Sequence, residues 1–261
     1  MQPLRMEVMS ARPERPARHD ARSATDTPPK AAGREREIVA VLRSVPALRE
    51  LAPGVLARLA ASATRTEVTR GGLLFALGTH CPGLYIVASG RIMLSVGNAE
   101  VGNKVVRLAE AGDTIGLAST LLGIATFAAA EALVDSAVVL IPRDTLIDRA
   151  GRDAPLALAL ASSAAQQARQ LAADVESVSL QSGRERIVNY LFACATTGPA
   201  ASLTVLLPAK KSVIASRLSV TPEYFSRTLH ELISSGAIDV NGRQIVIRDA
   251  ARLRGINSRP N

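Results

Sequence analysis

The stretch SVTPEYFSRTLHEL, residues 219–232, predicts a short helix with one polar and one apolar side. Helical spacing of about 100° per residue puts three polar side chains on one stripe, Glu223, Ser226 and Arg227. Three apolar side chains fall on the other side at i, i+4 and i+7, Phe225, Leu229 and Leu232. The apolar side must dock on a neighbouring element, so the polar side is left facing outward.

The residues around this helix predict a winged helix-turn-helix over residues 183–255. Thr221 suits the N-cap and Pro222 the first helical position, and a shorter helix with Lys210 and Lys211 at its start precedes them. Asn241-Gly242 between two alternating strands indicates a two-residue hairpin, which would form the wing. We predict the order helix, strand, helix, tight turn, helix and hairpin.

The polar stripe matches what a recognition helix needs in the major groove. Arg can bind guanine O6 and N7 together, Glu can accept from the cytosine amine, and Ser can contact a base or a phosphate. Lysines before the first helix and an arginine on the wing suit phosphate contacts. The predicted DNA-binding residues are Glu223, Ser226, Arg227, Thr221, Lys210, Lys211 and Arg243. The alternative is an ordinary amphipathic helix in which Glu223 pairs with Arg227 at i, i+4.

The net charge of +8 is concentrated in the C-terminal third of the chain. Residues 183–261 carry 11 Lys and Arg against 5 Asp and Glu, whereas residues 37–182 carry 12 against 13. The first 36 residues carry 8 against 5. This distribution favours a nearly neutral sensor joined to a module that binds a polyanion, with double-stranded DNA as the partner.

The remaining sequence predicts an α+β chain with four further parts. Residues 1–35 are rich in Pro and Arg without periodicity, so we expect a disordered tail, and 256–261 form a second tail. Within 36–150, short helices precede apolar strands that alternate with glycine turns from 64 to 143, which is typical of an antiparallel β-roll. Residues 151–182 read as one long helix.

This long helix carries a narrow seam of apolar residues at spacings of three or four. The seam consists of Leu160, Ala164, Ala168, Leu171, Val175 and Val178. Burial of the seam against the same helix of a second chain would make a homodimer. The alternative is that the seam packs on the β-roll of its own chain.

Several classes of protein are not expected from the composition. Two cysteines, Cys81 and Cys194, give neither a disulfide framework nor CxxC metal spacing, which fits a reducing cytoplasm. The longest apolar runs are interrupted by charge before the ~18 residues of a membrane span, and the N-terminus lacks the apolar block of a signal peptide. We find no nucleophile–base arrangement and no Gly-rich phosphate loop, so an enzyme is not expected.

The segment 207–249, LPAKKSVIASRLSVTPEYFSRTLHELISSGAIDVNGRQIVIRD, resembles the DNA-binding module of the Crp/Fnr superfamily of bacterial transcription regulators. The resemblance extends over about residues 37–255, and the E-x-x-S-R pattern of Glu223, Ser226 and Arg227 is similar to the fumarate-nitrate regulator branch. It implies a homodimer that binds a TTGAT-like inverted repeat as activator or repressor, with RNA polymerase as a further candidate partner. Ser219 stands where the family often has Gly in the helix-helix turn, which predicts slight strain.

The nucleotide pocket of the family is degenerate in this chain. Gly116 matches the family pattern, but the position of the ribose-binding Glu is Leu117, and the Arg and its neighbour become Phe127 and Ala128. A buried phosphate without its cation is very costly, so cyclic AMP binding is not expected. An iron–sulfur cluster is excluded because the family's cluster needs four cysteines.

Haem stays open as a cofactor, because His80 and Cys81 sit together on a predicted barrel loop and either type of side chain can ligate iron. The alternative is a solvated histidine beside a small buried thiol. The candidate effector pocket is Gly116, Leu117, Phe127, Ala128, His80 and Cys81. Besides a sequence-specific regulator, two functions remain: a haem-dependent regulator responding to nitric oxide or redox state, and a small-molecule-binding assembly module without specific DNA readout.

Overall fold

A computed structural model of the chain describes residues 29–98, 102–197 and 203–257. The helices are α1 (Pro29–Ser44), α2 (Pro53–Ser62), α3 (Leu117–Leu122), α4 (Arg143–Ala150), α5 (Ala154–Leu180), α6 (Gly183–Ala193), α7 (Lys211–Arg217), α8 (Pro222–Ser234) and α9 (Ala250–Asn257). The strands are β1 (Thr64–Val68), β2 (Leu73–Phe75), β3 (Gly83–Ser89), β4 (Arg91–Asn98), β5 (Gly102–Glu110), β6 (Thr114–Ile115), β7 (Ala129–Ala132), β8 (Ser136–Pro142), β9 (Thr196–Thr197), β10 (Leu203–Leu206), β11 (Ile238–Asn241) and β12 (Gln244–Ile247).

Both predicted tails are shorter than expected where the structure describes them. Helix α1 begins at Pro29, inside the predicted 1–35 tail, and α9 runs to Asn257, inside the predicted 256–261 tail. Residues 1–28 and 258–261 lie outside the described residues. In the parts of the chain that are described, no helix is long and apolar enough to cross a membrane.

The N-terminal half is a β-roll of two antiparallel four-stranded sheets with strand orders β1-β8-β3-β6 and β2-β7-β4-β5. Strand β3 is buried on both faces, which explains why its sequence is apolar without alternation. Tyr85 and Val87 pack between the two sheets, whereas Leu84 and Ile86 belong to a second core with α1, α2 and α4.

Helix α5 leaves this second core about half-way along its length. Asp153 caps the helix by accepting a hydrogen bond from the Leu156 amide at 2.9 Å, and Leu156 itself is fully buried. Leu160 is also buried, at 3 % exposure, against the chain's own core. The prediction that Leu160 faces a partner chain is therefore wrong, and Ala164 also packs partly against the same core.

The same helical stripe continues past the β-roll and becomes exposed. Leu171, Val175 and Val178 are 54 %, 65 % and 48 % exposed, and Ala168 is exposed as well. Leu158 is also exposed but lies outside this stripe, about 100° around the helix from Val175 by helical spacing.

The C-terminal domain has one core shared by four helices and a sheet of order β11-β12-β10-β9. A capping box begins α6, in which the Ser182 hydroxyl accepts from the Glu185 amide and the Glu185 carboxylate accepts from the Ser182 amide. These hydrogen bonds lower the pKa of Glu185. The wing hairpin forms as predicted, although its turn residues are Gly242 and Arg243, one position later, because Asn241 pairs with Gln244.

The turn between α7 and α8 contains a residue in an unfavourable backbone conformation. Ser219 has a φ of 57°, a left-handed value at which a Cβ atom is strained. The same residue is held by two cations: Lys104 Nζ donates to its hydroxyl at 2.8 Å, and Arg186 donates to its carbonyl at 3.1 Å. The predicted strain at this turn is thus present and is restrained by contacts from outside the turn.

Replacement of Ser219 should separate the strain from the hydroxyl contact. Ser219→Gly and Ser219→Ala both lose the bond to Lys104, but only Ala retains the Cβ atom. We expect the Gly variant to be more stable than the Ala variant by about 1 kcal/mol. Urea unfolding of the C-terminal domain, followed by circular dichroism, would measure this difference. Equal stabilities would contradict the strain at this turn.

Candidate nucleic-acid interface

Burial of one side of α8 decides which of its side chains reach outward. Phe225, Leu229 and Leu232 are buried in the C-terminal core, with at most 2 % exposure. Glu223 and Arg227 are exposed on the opposite side. Ser226 is half-buried between these two sides. The structure therefore places Glu223 and Arg227 on one outward-facing stripe, with Ser226 at its edge.

Thr221 begins the helix as its N-cap. Its hydroxyl oxygen accepts a hydrogen bond from the Tyr224 amide at 3.1 Å. A hydroxyl that accepts can still donate, so Thr221 retains a hydrogen for a phosphate oxygen. The capped N-terminus also leaves the positive end of the helix dipole facing outward.

Arg227 does not pair with Glu223, although the two residues are spaced as an i, i+4 pair. No ion pair joins them in the described part of the chain, and the guanidinium carbon of Arg227 instead lies 5.2 Å from the centre of the Tyr224 ring. The Glu–Arg pair of the alternative interpretation is therefore not formed. Both ionised groups remain available to another molecule.

The other arginines of the C-terminal domain are largely committed to internal contacts. Three form ion pairs, namely Arg184 with Glu231 at 3.2 Å, Arg217 with Asp174 at 2.7 Å and Arg248 with Asp239 at 2.6 Å. Arg186 donates to the carbonyls of Gln181, Leu218 and Ser219. By contrast, four predicted DNA-contact cations make no ion pair with any residue that the structure describes, Lys210, Lys211, Arg227 and Arg243. Their charge is free for phosphates or bases.

Helix α7 is docked on strand β5 of the β-roll. Lys104 Nζ donates to the Ser216 carbonyl and to the Ser219 hydroxyl, and the Val105 amide donates to the Ser216 hydroxyl at 2.9 Å. Burial lowers the pKa of Lys104, and the nearby Arg217 and Arg186 lower it further. The Arg217–Asp174 ion pair adds a bond between α7 and α5. The C-terminal domain is therefore connected to the β-roll and α5 by contacts as well as by the chain.

A cavity of about 280 Å³ lies between the β-roll, α5 and this docked helix. Its walls combine apolar side chains, including Leu117 and Phe127, with polar ones from α5, including Gln167. Of the residues that the structure describes, two cations line the cavity, and each is paired: Arg107 with Asp113 at 2.8 Å and Arg217 with Asp174. A ligand here would touch both members of the ion pair that joins α5 to α7.

The six residues predicted for the effector pocket do not all meet at this cavity. Gly116, Leu117 and Phe127 line it, whereas Ala128 is buried in the core between the two sheets. His80 is exposed on its loop. Cys81 is 2 % exposed, and its sulfur lies near the Gly83 carbonyl and the Thr120 hydroxyl. Sequence adjacency placed His80 and Cys81 together, but consecutive residues of an extended loop point to opposite sides.

The cavity does not fit a haem group. The axial ligands that proteins offer to haem iron are His, Cys, Met and Tyr side chains, and none of these is among the described residues that line it. His80 and Cys81 face different surroundings, so they do not form a shared ligand set.

Comparison with known proteins agrees with both halves of this architecture. Residues 185–256 match a Crp-like helix-turn-helix domain, and residues 65–153 match a cyclic nucleotide-binding domain. The nitrogen fixation regulation protein FixK of Azorhizobium caulinodans is 26 % identical over 205 residues, which are 77 % of this chain and 82 % of FixK. This chain is a DNA-binding transcription regulator of the Crp/Fnr superfamily.

Solved structures of Crp/Fnr proteins share the fold. FixK2 of Bradyrhizobium japonicum superposes with a TM-score of 0.66 at 25 % identity, covering 76 % of this chain and 99 % of FixK2. The c-di-GMP responsive global regulator CLP of Xanthomonas campestris gives a TM-score of 0.66 at 16 % identity, over 76 % of this chain and all of CLP, which speaks for the fold alone. The two matching domains and the similarity to FixK and FixK2 confirm the expectation of a Crp/Fnr regulator rather than an enzyme.

Two features of the interface were missed by sequence reasoning. Tyr224 lies beneath Arg227, and its ring packs on Gly183 at the start of α6. The contacts of Lys104 and Asp174 with α7 join residues more than 40 positions apart, which no local pattern reveals. The i, i+3 spacing of Tyr224 and Arg227 was the available signal for the first feature.

Loss of the Arg227 side chain should remove discrimination at one base pair of each half-site. We expect Arg227→Ala to cost about 1–3 kcal/mol on the preferred duplex and little on a duplex changed at that base pair. Lys211→Ala should instead weaken binding to all sequences. It should also reduce the slope of log affinity against log salt concentration by about 1 per protomer. Fluorescence anisotropy over a salt series distinguishes these effects.

Arg248 provides the matched control, because it is an exposed arginine of the same domain whose charge is paired with Asp239. Arg248→Ala should leave affinity and base preference close to those of the unmodified protein. An Arg227→Ala variant that ranks duplexes as the unmodified protein does would disprove base reading by this residue.

Proposed function

We propose that this Crp/Fnr regulator acts in the cytoplasm as a homodimer and reads an inverted repeat with a TTGAT-like half-site. The observation that carries the proposal is the uncommitted polar stripe of α8, where Glu223 and Arg227 are exposed and unpaired with each other. The half-site follows from the E-x-x-S-R resemblance. The free cations Lys210, Lys211 and Arg243 flank the stripe where phosphate contacts would position the helix.

The exposed half of α5 supports the homodimer. Ala168, Leu171, Val175 and Val178 continue the stripe that the upstream part of the helix buries in its own core. A second copy of α5 would cover these side chains. A dimer would also place its two recognition helices about 34 Å apart, which is the spacing of successive major grooves. In the single chain these four side chains are exposed, although Leu171 also lines the cavity between α5 and the β-roll.

A charge placed in the exposed stripe should separate the two chains. We expect Val175→Asp to give the mass of one chain in sedimentation velocity, because an ionised carboxylate is costly to bury. Leu158→Asp is the control, since Leu158 is 69 % exposed and lies about 100° around α5 from Val175. A Val175→Asp protein that still sediments as a dimer would place the interface elsewhere.

Cyclic AMP is not the proposed effector. Among the described residues the cations that line the cavity are Arg107 and Arg217, and each has a carboxylate partner. A cyclic phosphate would have to displace one of these carboxylates or remain uncompensated. Of the alternatives, haem control lacks a fitting ligand set, and the assembly-module hypothesis leaves the unpaired α8 charges without a role.

Control by an effector would act through the contacts between α5 and α7. Only Gln181 and Ser182 separate α5 from α6, so a rotation of α5 is passed directly to the C-terminal domain. The same cavity is lined by Asp174 and Arg217, whose ion pair fixes α7. A ligand that changes this pair would shift the population of dimers whose helices have the spacing of successive major grooves.

Fluorescence anisotropy of the full chain with no added ligand, on a TTGAT palindrome and a scrambled duplex at the same salt, tests the proposal. We expect a clear preference for the palindrome, and cyclic AMP should leave both titrations unchanged. Equal binding to the two duplexes, in the absence and presence of cyclic AMP, would contradict the proposed half-site. A preference that requires cyclic AMP would contradict the proposed loss of nucleotide binding.

A further inference from the structure

Arg227 differs from the ion-paired arginines of its domain in the group that holds it. Arg184, Arg217 and Arg248 each have a carboxylate within 3.2 Å, whereas Arg227 has the face of the Tyr224 ring at 5.2 Å from its guanidinium carbon. A carboxylate would occupy the same N–H groups that guanine O6 and N7 need. An aromatic face holds the cation through its quadrupole and leaves the edge of the guanidinium free.

The Tyr224 ring is itself fixed from below. It is half-buried and packs against the C-terminal core. A Cβ atom at Gly183 would lie 2.9 Å from Tyr224 Cε1 and 3.0 Å from Val220 Cγ1, so the ring rests directly on the glycine backbone. Gly183 is the first residue of α6, and its φ is not in the left-handed region. Close approach of the tyrosine, rather than backbone conformation, therefore accounts for glycine at this position.

We propose that Tyr224 is a positioning residue that holds Arg227 in the orientation for base reading. The Tyr224 ring is supported in turn by its contact with the Gly183 backbone. The inference rests on the proposed base-reading function of α8 and adds to it the residue on which specificity depends. An exposed arginine loses side-chain entropy when it binds a base edge, and a stack that restricts it beforehand reduces that loss. The benefit applies to the preferred duplex, where Arg227 makes its two bonds.

The first test is anisotropy on the TTGAT palindrome and on a palindrome changed at the base pair that Arg227→Ala identifies. Loss of a stack of this kind should reduce the preference for the unchanged palindrome by about two- to fivefold per half-site, or about four- to twenty-five-fold over two half-sites. We expect Tyr224→Leu to reduce the preference by this factor and Tyr224→Phe, which retains the ring, to keep it. On the Arg227→Ala background, Tyr224→Leu should change the preference no further.

Phe192→Leu is the matched control, because it removes the ring that lies 5.0 Å from the Arg254 guanidinium carbon, outside α8. It should leave the base preference unchanged. Gly183→Ala should reduce the base preference as Tyr224→Leu does, because the added methyl group displaces the ring while Tyr224 itself remains. Melting temperatures of all variants identify any change that comes from unfolding.

A second measurement needs no DNA. In ¹H–¹⁵N spectra of arginine Nε–Hε groups, the Arg227 signal, assigned from its absence in Arg227→Lys, should be shifted by the ring current. The shift should persist in Tyr224→Phe and disappear in Tyr224→Leu. If the Arg227 signal is the same in the unmodified protein, in Tyr224→Phe and in Tyr224→Leu, the ring does not hold the guanidinium in solution, and the proposal is overturned.

The DNA outcomes separate this proposal from the function on which it rests. Loss of preference in Arg227→Ala but not in Tyr224→Leu overturns the positioning role alone. Equal weakening of every duplex by Tyr224→Phe and Tyr224→Leu shows instead that the hydroxyl contacts a phosphate, and also overturns it. An unmodified protein that binds all duplexes equally overturns the base-reading function and the positioning role together.

Discussion

Burial of Phe225 in the C-terminal core is the constraint on which the DNA-facing surface depends. Because this side chain is fully buried, the rotation of α8 about its axis is fixed, and the positions of all its polar residues follow. Glu223 and Arg227 face outward for no other reason than that Phe225, Leu229 and Leu232 face inward. Replacement of a surface residue can change what the helix reads, but only the core decides which residues are presented.

The second constraint is the distribution of positive charge within the domain. A guanidinium that is tied to carbonyls or to a carboxylate stabilises the fold or a domain contact, and one that is not tied can serve an anionic partner. Arg186 and Lys104 converge on the turn at Ser219, where carbonyl oxygens at the end of α7 take the place of counterions. The lowered pKa of Lys104 reflects the cost of burying that charge beside Arg217 and Arg186.

Local pattern predicted the parts of this chain in which each residue's role is set by its near neighbours. The two faces of α8, the cap at Thr221 and the wing hairpin depend on spacing and turn chemistry, and each forms, with the hairpin turn one residue later than expected. The seam predicted on α5 is divided: Leu160 is covered by the chain's own core, whereas Val175 is exposed. Where the β-roll ends along the helix is a property of tertiary packing, which periodicity does not contain.

The errors have a common physical origin. His80 and Cys81 were grouped because they are adjacent in sequence, yet one side chain is exposed and the other is buried. Tyr224 was passed over because its partner below, Gly183, lies about 40 residues away and has no side chain to attract notice. Gly183 also begins the helix that follows α5, so the ring beneath Arg227 contacts the junction through which we propose that an effector acts. A movement at that junction would therefore reach the guanidinium through one intervening ring, without any change in the rest of α8.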